Sequence, residues 1–179
     1  MNTKAAPLAG CWIITPTLHS DGRGQFVETF QHKRFAQQTD LSINFTQDNE
    51  VTSTKGVVRG LHLQTTPHAQ AKLIRVVQGQ IYDVALDLRK DSPTYGKWFG
   101  LVLTAKAQTQ LFIPKGFAHG YSVLSDTAIV QYKVDGDYHP ESERGVRFDD
   151  PNLGIDWQVA TPIVSDKDLK LPLFKDFQS

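Results

Sequence analysis

Runs of strand-forming residues in this chain are short, and each is cut off by glycine or proline before it can lengthen. The clearest case is Lys55 to Asp87, KGVVRGLHLQTTPHAQAKLIRVVQGQIYDVALD. There Val57-Val58, Leu61 and Leu63, Leu73 to Val77 and Ile81 to Leu88 are separated by Gly56, Gly60, Thr65-Thr66-Pro67 and Gly79. β-branched and large apolar residues bounded by turn residues predict neighbouring antiparallel strands. The same rhythm recurs from Cys11 to Thr15, Gln25 to Phe30, Phe45 to Ser53, Lys97 to Leu103, Leu111 to Ser125, Thr127 to Val134 and, as a turn with a short strand, Asp149 to Trp157. Helical signals are confined to Gln31–Thr39 and a final helix or arm. Many short strands and little helix predict an all-β barrel or double-sheet jelly roll with short helices at the periphery.

The 179 residues suit one domain, residues 1–179, with a core large enough to fold alone. Lys and Arg balance Asp and Glu to a formal charge of zero, so no basic field exists to gather nucleic acid. Small anions remain recognisable by a few local cations. Cys11 is the only cysteine, which excludes an internal disulfide and fits a reducing compartment. The opening MNTKAAPLAGCWIITP reads poorly as a signal peptide, and no segment approaches the roughly 20 apolar residues of a membrane span. A soluble cytoplasmic protein with no membrane partner is expected.

Polar groups in the Lys55–Asp87 run mark where chemistry belongs. Strand alternation sets His62 and Gln64 opposite Leu61 and Leu63, and puts Lys72 on one face with Ile74 and Val76. Arg59, His62, Lys72 and Asp83 are each flanked by apolar residues, and charged groups are rarely buried unless paired or functional. A second informative stretch, LFIPKGFAHGYSVLS, bends at Pro114, Gly116 and Gly120 around His119, which reads as a residue in a Gly-rich corner. Elsewhere residue type alone decides less. Arg23 and Glu28 flank an HSDGRG turn and, by residue type alone, read as a solvated loop Arg and an exposed strand Glu. Gln47 and Asn49 either face a ligand or decorate an edge. Tyr132 shares a face with Ala128 and Val130, as a core tyrosine would. Tyr138 and Glu143 sit in a polar loop.

The motifs KGVVRGLHLQ, KLIRVVQGQIYDVALDLR with SPTYGKW, IPKGFAHGYSVLS, YKVDGDYHPESERGVRFDDP, IDW and SDKD, in that order, resemble the dTDP-4-dehydrorhamnose 3,5-epimerases across nearly the whole chain. The resemblance implies a cupin-type jelly roll working as a homodimer on a dTDP-linked 4-keto-6-deoxy sugar, without metal or cofactor. By position, His62 matches the base, Asp168 the carboxylate paired with it, and Tyr132 the proton donor. Lys72 and His119 match residues lining the sugar pocket. Arg23, Glu28, Gln47, Asp48, Asn49, Arg59, Glu143 and Lys167 match contacts to nucleotide or sugar, and Tyr138 matches an aromatic stacking on thymine. Leu63 departs from the aromatic common after the base.

Inverting C3 and C5 beside a C4 ketone requires a base, a donor that holds enolate charge and an acid on the opposite face. An imidazole, with an ordinary pKa near ~6.5, suits the base, and a paired carboxylate fixes its tautomer. Three rivals remain: a relative that inverts one carbon, a metal-dependent cupin enzyme and a non-catalytic nucleotide-sugar binder. A cation at Lys72 disfavours the second, and a His–Asp pair with a separate Tyr has no purpose in the third.

Overall fold

The computed structural model describes residues 1–178. In chain order its strands are β1 Asn2–Ala5, β2 Trp12–Thr15, β3 Leu18–Asp21, β4 Gly24–Val27, β5 Gln47–Thr54, β6 Val58–Gln64, β7 Lys72–Gln78, β8 Gln80–Asp87, β9 Trp98–Thr104, β10 Gln110–Ile113, β11 Phe117–Val123, β12 Thr127–Val134 and β13 Glu143–Gly145. The α-helices are α1, His32–Thr39, and α2, Asp166–Leu169. A six-stranded sheet runs β1-β2-β10-β7-β12-β5, a five-stranded sheet runs β13-β6-β11-β8-β9, and β3 pairs with β4 in a separate hairpin. Every ladder is antiparallel. This is the two-sheet, mostly β architecture that the short strands predict.

Alternation explains how the sheets meet. Ile74 and Val76 of β7, Ala128 and Val130 of β12, and Leu111 and Ile113 of β10 pack against Ile81 and Ala85 of β8 and Phe117 and Val123 of β11. Many of the intervening residues, which face outward, are covered in turn. Phe35 of α1 joins Phe30, Phe45 and Phe112 over the six-stranded sheet. Phe148, Leu153 and Trp157 cover the outer face of the five-stranded sheet, over Val58, Leu61 and Val84. Burial on both faces accounts for the nearly unbroken apolar character of β8 and β11.

Three local expectations change. Asn2–Ala5 is a strand although its sequence, NTKA, is polar, because pairing with β2 rather than a buried face holds it. The HSDGRG segment supplies strand β3 as well as the turn. Asp149–Trp157 forms turns and no strand. Its apolar side chains cap a sheet face, and the Trp157 indole N–H donates to Phe148 O at 2.7 Å. Among the described residues no helix is long and apolar enough to cross a membrane.

Candidate active site

At one end of the sandwich the inward positions turn from apolar to ionisable. On the five-stranded sheet β6 presents His62, β11 presents His119 directly opposite it in register, and β8 presents Asp83. On the facing sheet β7 presents Lys72, β12 Tyr132, and β5 Gln47 and Asn49. Between them lie two adjoining lobes. One, of about 290 Å³, is bounded by Arg59, His62, Lys72, His119, Tyr121 and Tyr132, with Lys167 and Asp168 from α2. The other, of about 360 Å³, is bounded by Gln47, Asn49, Gln64, Gln70, Tyr138 and Glu143. His62, Lys72 and Tyr132 border both lobes. Such a divided, polar-lined cleft fits a two-part polar ligand. A larger hollow of about 530 Å³ beside Arg89 and Lys115 contains none of these ionisable groups.

The catalytic-type pair is assembled over a long sequence distance. His62 Nε2 lies 2.7 Å from Asp168 Oδ1, although the two are 106 positions apart in the chain. The C-terminal segment reaches β6 because Ile163 bridges Val57, with Val58 N–H donating to Ile163 O and Ile163 N–H to Gly56 O. Ser165 then caps α2 by accepting from Asp168 N–H at 3.1 Å. Gly60 supplies the remaining anchor, donating its N–H to Asp168 Oδ2 at 3.1 Å. Its φ of +119° and its neighbours both demand glycine: a Cβ would sit 2.6 Å from Gly120 Cα and 2.8 Å from His119 O. Burial pushes the Asp168 carboxyl up, but hydrogen bonding and charge from His62, with the Gly60 N–H, outweigh it and hold Asp168 below the ordinary range. An ionised carboxylate at this distance accepts from Nε2–H and leaves the Nδ1 lone pair as the basic site.

A second pair lies behind the first. His119 Nε2 is 2.7 Å from Asp83 Oδ1, and both side chains are buried. The expected Gly-rich corner is instead the middle of β11, every residue of which is buried. Gly120 serves close packing against β6, where a Cβ would lie 2.6 Å from Arg59 O. Burial lowers the His119 pKa against the opposing pull of Asp83, favouring neutral imidazole. Asp83 Oδ2 has no hydrogen-bond partner among the described residues and Tyr121 Oη none within bonding geometry, while Ser53 Oγ beside it accepts from Arg59 Nε at 3.0 Å. Unsatisfied buried polar atoms are uncommon; Tyr121 lines the first lobe, and Asp83 lies behind His119, which also lines it.

Lys72 Nζ donates to His62 O at 3.3 Å. Burial pulls its pKa from 10.5 down to about 8, although Asp83 and Glu143 favour the cation. Burial raises the Tyr132 pKa, partly offset by Arg59, so its hydroxyl holds a proton through neutral pH. Glu143 joins the two lobes electrostatically: its Oε2 accepts from Tyr138 Oη at 2.5 Å and Lys167 Nζ at 2.7 Å.

The structure therefore gathers His62, Tyr132, Asp168, Lys72, Arg59, His119, Gln47, Asn49, Tyr138, Glu143 and Lys167 around one cleft. It does not gather Asp48, Arg23 or Glu28. Asp48 alternates to the other face of β5 and pairs with Lys133 at 2.7 Å. Arg23 is 91% exposed in the β3–β4 hairpin and pairs with Asp21, and Glu28 pairs with Arg34 at 2.5 Å. Sequence reasoning missed Tyr121 and Gln70 as lining residues. Tyr121 was signalled by its two-residue offset from His119, whereas nothing local distinguished Gln70.

Comparisons with known proteins identify the family. A family model described as dTDP-4-dehydrorhamnose 3,5-epimerase matches residues 5–176. An enzyme of that name from Shigella flexneri is 46% identical over 176 residues, covering 98% of this chain and 97% of its own. The crystal structure of one from Elizabethkingia anophelis superposes with a TM-score of 0.96 at 47% identity, covering 100% of this chain and 99% of the other. A dTDP-6-deoxy-D-glucose-3,5-epimerase from Legionella pneumophila, in complex with dTDP-4-keto-L-rhamnose, gives 0.95 at 42% identity, covering 99% and 94%. With its cupin fold, its ionisable cleft and full-length similarity all in accord, this chain belongs to the dTDP-4-dehydrorhamnose 3,5-epimerase family and is an isomerase.

Proposed function

We propose that His62 and Tyr132 are the base and acid of the epimerisation. The observation that carries this is their placement on opposite sheets across one cleft, with only His62 held by a carboxylate. With the dTDP-linked 4-keto sugar between them, Nδ1 of His62 removes the proton beside the ketone. The imidazolium that forms is stabilised by Asp168. Lys72 faces the developing enolate oxygen, where one well-placed donor is worth ~3 kcal/mol. Tyr132 returns a proton to the other face, which inverts the centre. His119 and Arg59 hold the sugar and diphosphate, Lys167 adds a charge-assisted contact, and Tyr138 with Gln47, Asn49 and Glu143 forms the nucleotide end.

The same reading includes a homodimer of single-domain subunits in the cytoplasm. The β3–β4 hairpin supports it, because Phe26 on that hairpin is 68% exposed and Arg23 lies beside it, outside the cleft of its own chain. Contact with another copy covers Phe26 and gives Arg23 and Glu28 a ligand to touch. The nucleotide-linked substrate and a single buried cysteine, with no second one to pair with, fit a reducing interior.

Solvent exchange tests the assignment. Incubation with substrate in D₂O places deuterium at C3 and C5, and His62→Ala abolishes both. Tyr132→Phe retains more exchange than net inversion, as read by NMR of the product configuration. Equal loss of exchange and inversion in the two variants overturns the division of roles.

A further inference from the structure

Outside the cleft, the segments following β6 and preceding β13 bring together two histidines and a glutamate. The His68 and His139 rings stack with centroids 3.5 Å apart and planes 15° apart. Glu141 Oε1 lies 3.0 Å from His139 Nδ1 and 4.0 Å from His68 Nε2, and one donor atom from each of the three residues falls within 4.8 Å of the others. The backbones carrying them are already fastened to one strand end. His68 N–H donates to Thr65 O at 3.0 Å, His139 N–H to the Gln64 side-chain carbonyl at 2.7 Å, and Thr65 N–H to Ser142 O at 2.9 Å. Side-chain freedom remains, because the imidazoles are about one-third exposed and Glu141 is 66% exposed.

We propose that His68, His139 and Glu141 form a binding site for one divalent transition ion of the zinc class. Two imidazoles and a carboxylate suit a borderline ion, and neutral imidazole, the form that tolerates face-to-face contact, is also the ligating form. Around a tetrahedral ion, ligands at about 2.1 Å stand ~3.4 Å apart, so donor atoms within 4.8 Å of one another close by at most ~1.4 Å. The stacked rings must splay so that their lone pairs converge, a rotation their exposure permits. Three protein ligands leave a fourth position to water. Arg144, the cation on the same segment, is occupied by the carbonyls of Glu141 and Glu143. The ion ties two segments that flank the lobe holding Gln64, Gln70 and Tyr138. It takes no part in the proton transfers.

Titration calorimetry of the tag-free full chain with zinc chloride at pH 7.5 tests this. The expected result is one saturable equivalent, weakened at least about 10-fold in both His68→Ala and His139→Ala, and less in Glu141→Gln. Thermal unfolding provides a second readout: zinc raises the midpoint of the parent but not of the His68→Ala/His139→Ala double variant, whose midpoint without metal is unchanged. Absence of a stoichiometric site, or retention of full affinity in the double variant, overturns the proposal.

Discussion

The two histidine–aspartate pairs share a 2.7 Å contact through the same atoms and differ in almost everything around it. His62 is 29% exposed and borders both lobes, and the second oxygen of Asp168 is satisfied by Gly60. His119 is 7% exposed, and the second oxygen of Asp83 has no partner among the described residues. A hydrogen bond distance alone thus fails to identify a base. What distinguishes His62 is access to a ligand combined with a carboxylate whose own needs are met. Asp83, buried on a central strand, instead supplies negative charge to a region containing Lys72.

The contrast is sharpest when each pair is broken. Removing the imidazole at His62 is expected to slow turnover by about 10²- to 10⁴-fold with a modest fall in unfolding midpoint, since buried Asp168 loses its imidazole partner but keeps the Gly60 N–H. Asp168→Asn keeps the shape but weakens the hold on the tautomer. A loss of about 10²-fold in kcat with a preserved fold is expected by steady-state kinetics. Asp83→Asn is expected to reverse the emphasis, destabilising the protein by about 2 kcal/mol in denaturant unfolding. Comparable stability loss in Asp168→Asn and Asp83→Asn would collapse the distinction.

Lys72 offers a smaller, graded effect with opposite signs in activity and stability. With its pKa near 8, the cation that faces the enolate is lost as pH rises through that value, so kcat falls on the alkaline side. Between about 8 and 10.5 the unfolded chain binds the extra proton, so this group's contribution to stability rises with pH across the same window. Asp83→Asn removes a charge that favours the protonated amine and should move the alkaline fall to lower pH. A pH–rate profile identical to that of the parent breaks the link between Asp83 and Lys72.

Much of this was legible in the residues. Period-two alternation in Leu61–Gln64 and from Lys72 to Val76 set His62 and Lys72 opposite their outward neighbours, because a pleated strand sends successive side chains to opposite sides. The break at Gly60, which brings Arg59 to the same lobe as His62, carried no such signal. The alternation in β5 likewise divides Gln47 and Asn49 from Asp48, which the motif match alone had grouped together. His119 was singled out for the wrong surroundings: its glycine neighbour reflects the close approach of β11 to β6, a contact between strands that no local signal carries.

The class of fold, the strand faces and the residue types able to run proton transfer are readable along the chain, since each depends on local periodicity or intrinsic chemistry. That Asp168 bonds His62, that Asp83 is buried behind His119, and that Arg23 and Glu28 stand apart from the cleft emerges only once the sheets are packed. Those facts depend on which distant segments the sheets bring together, and pairing across 106 residues is set by packing of the whole sandwich rather than by any neighbour in the chain.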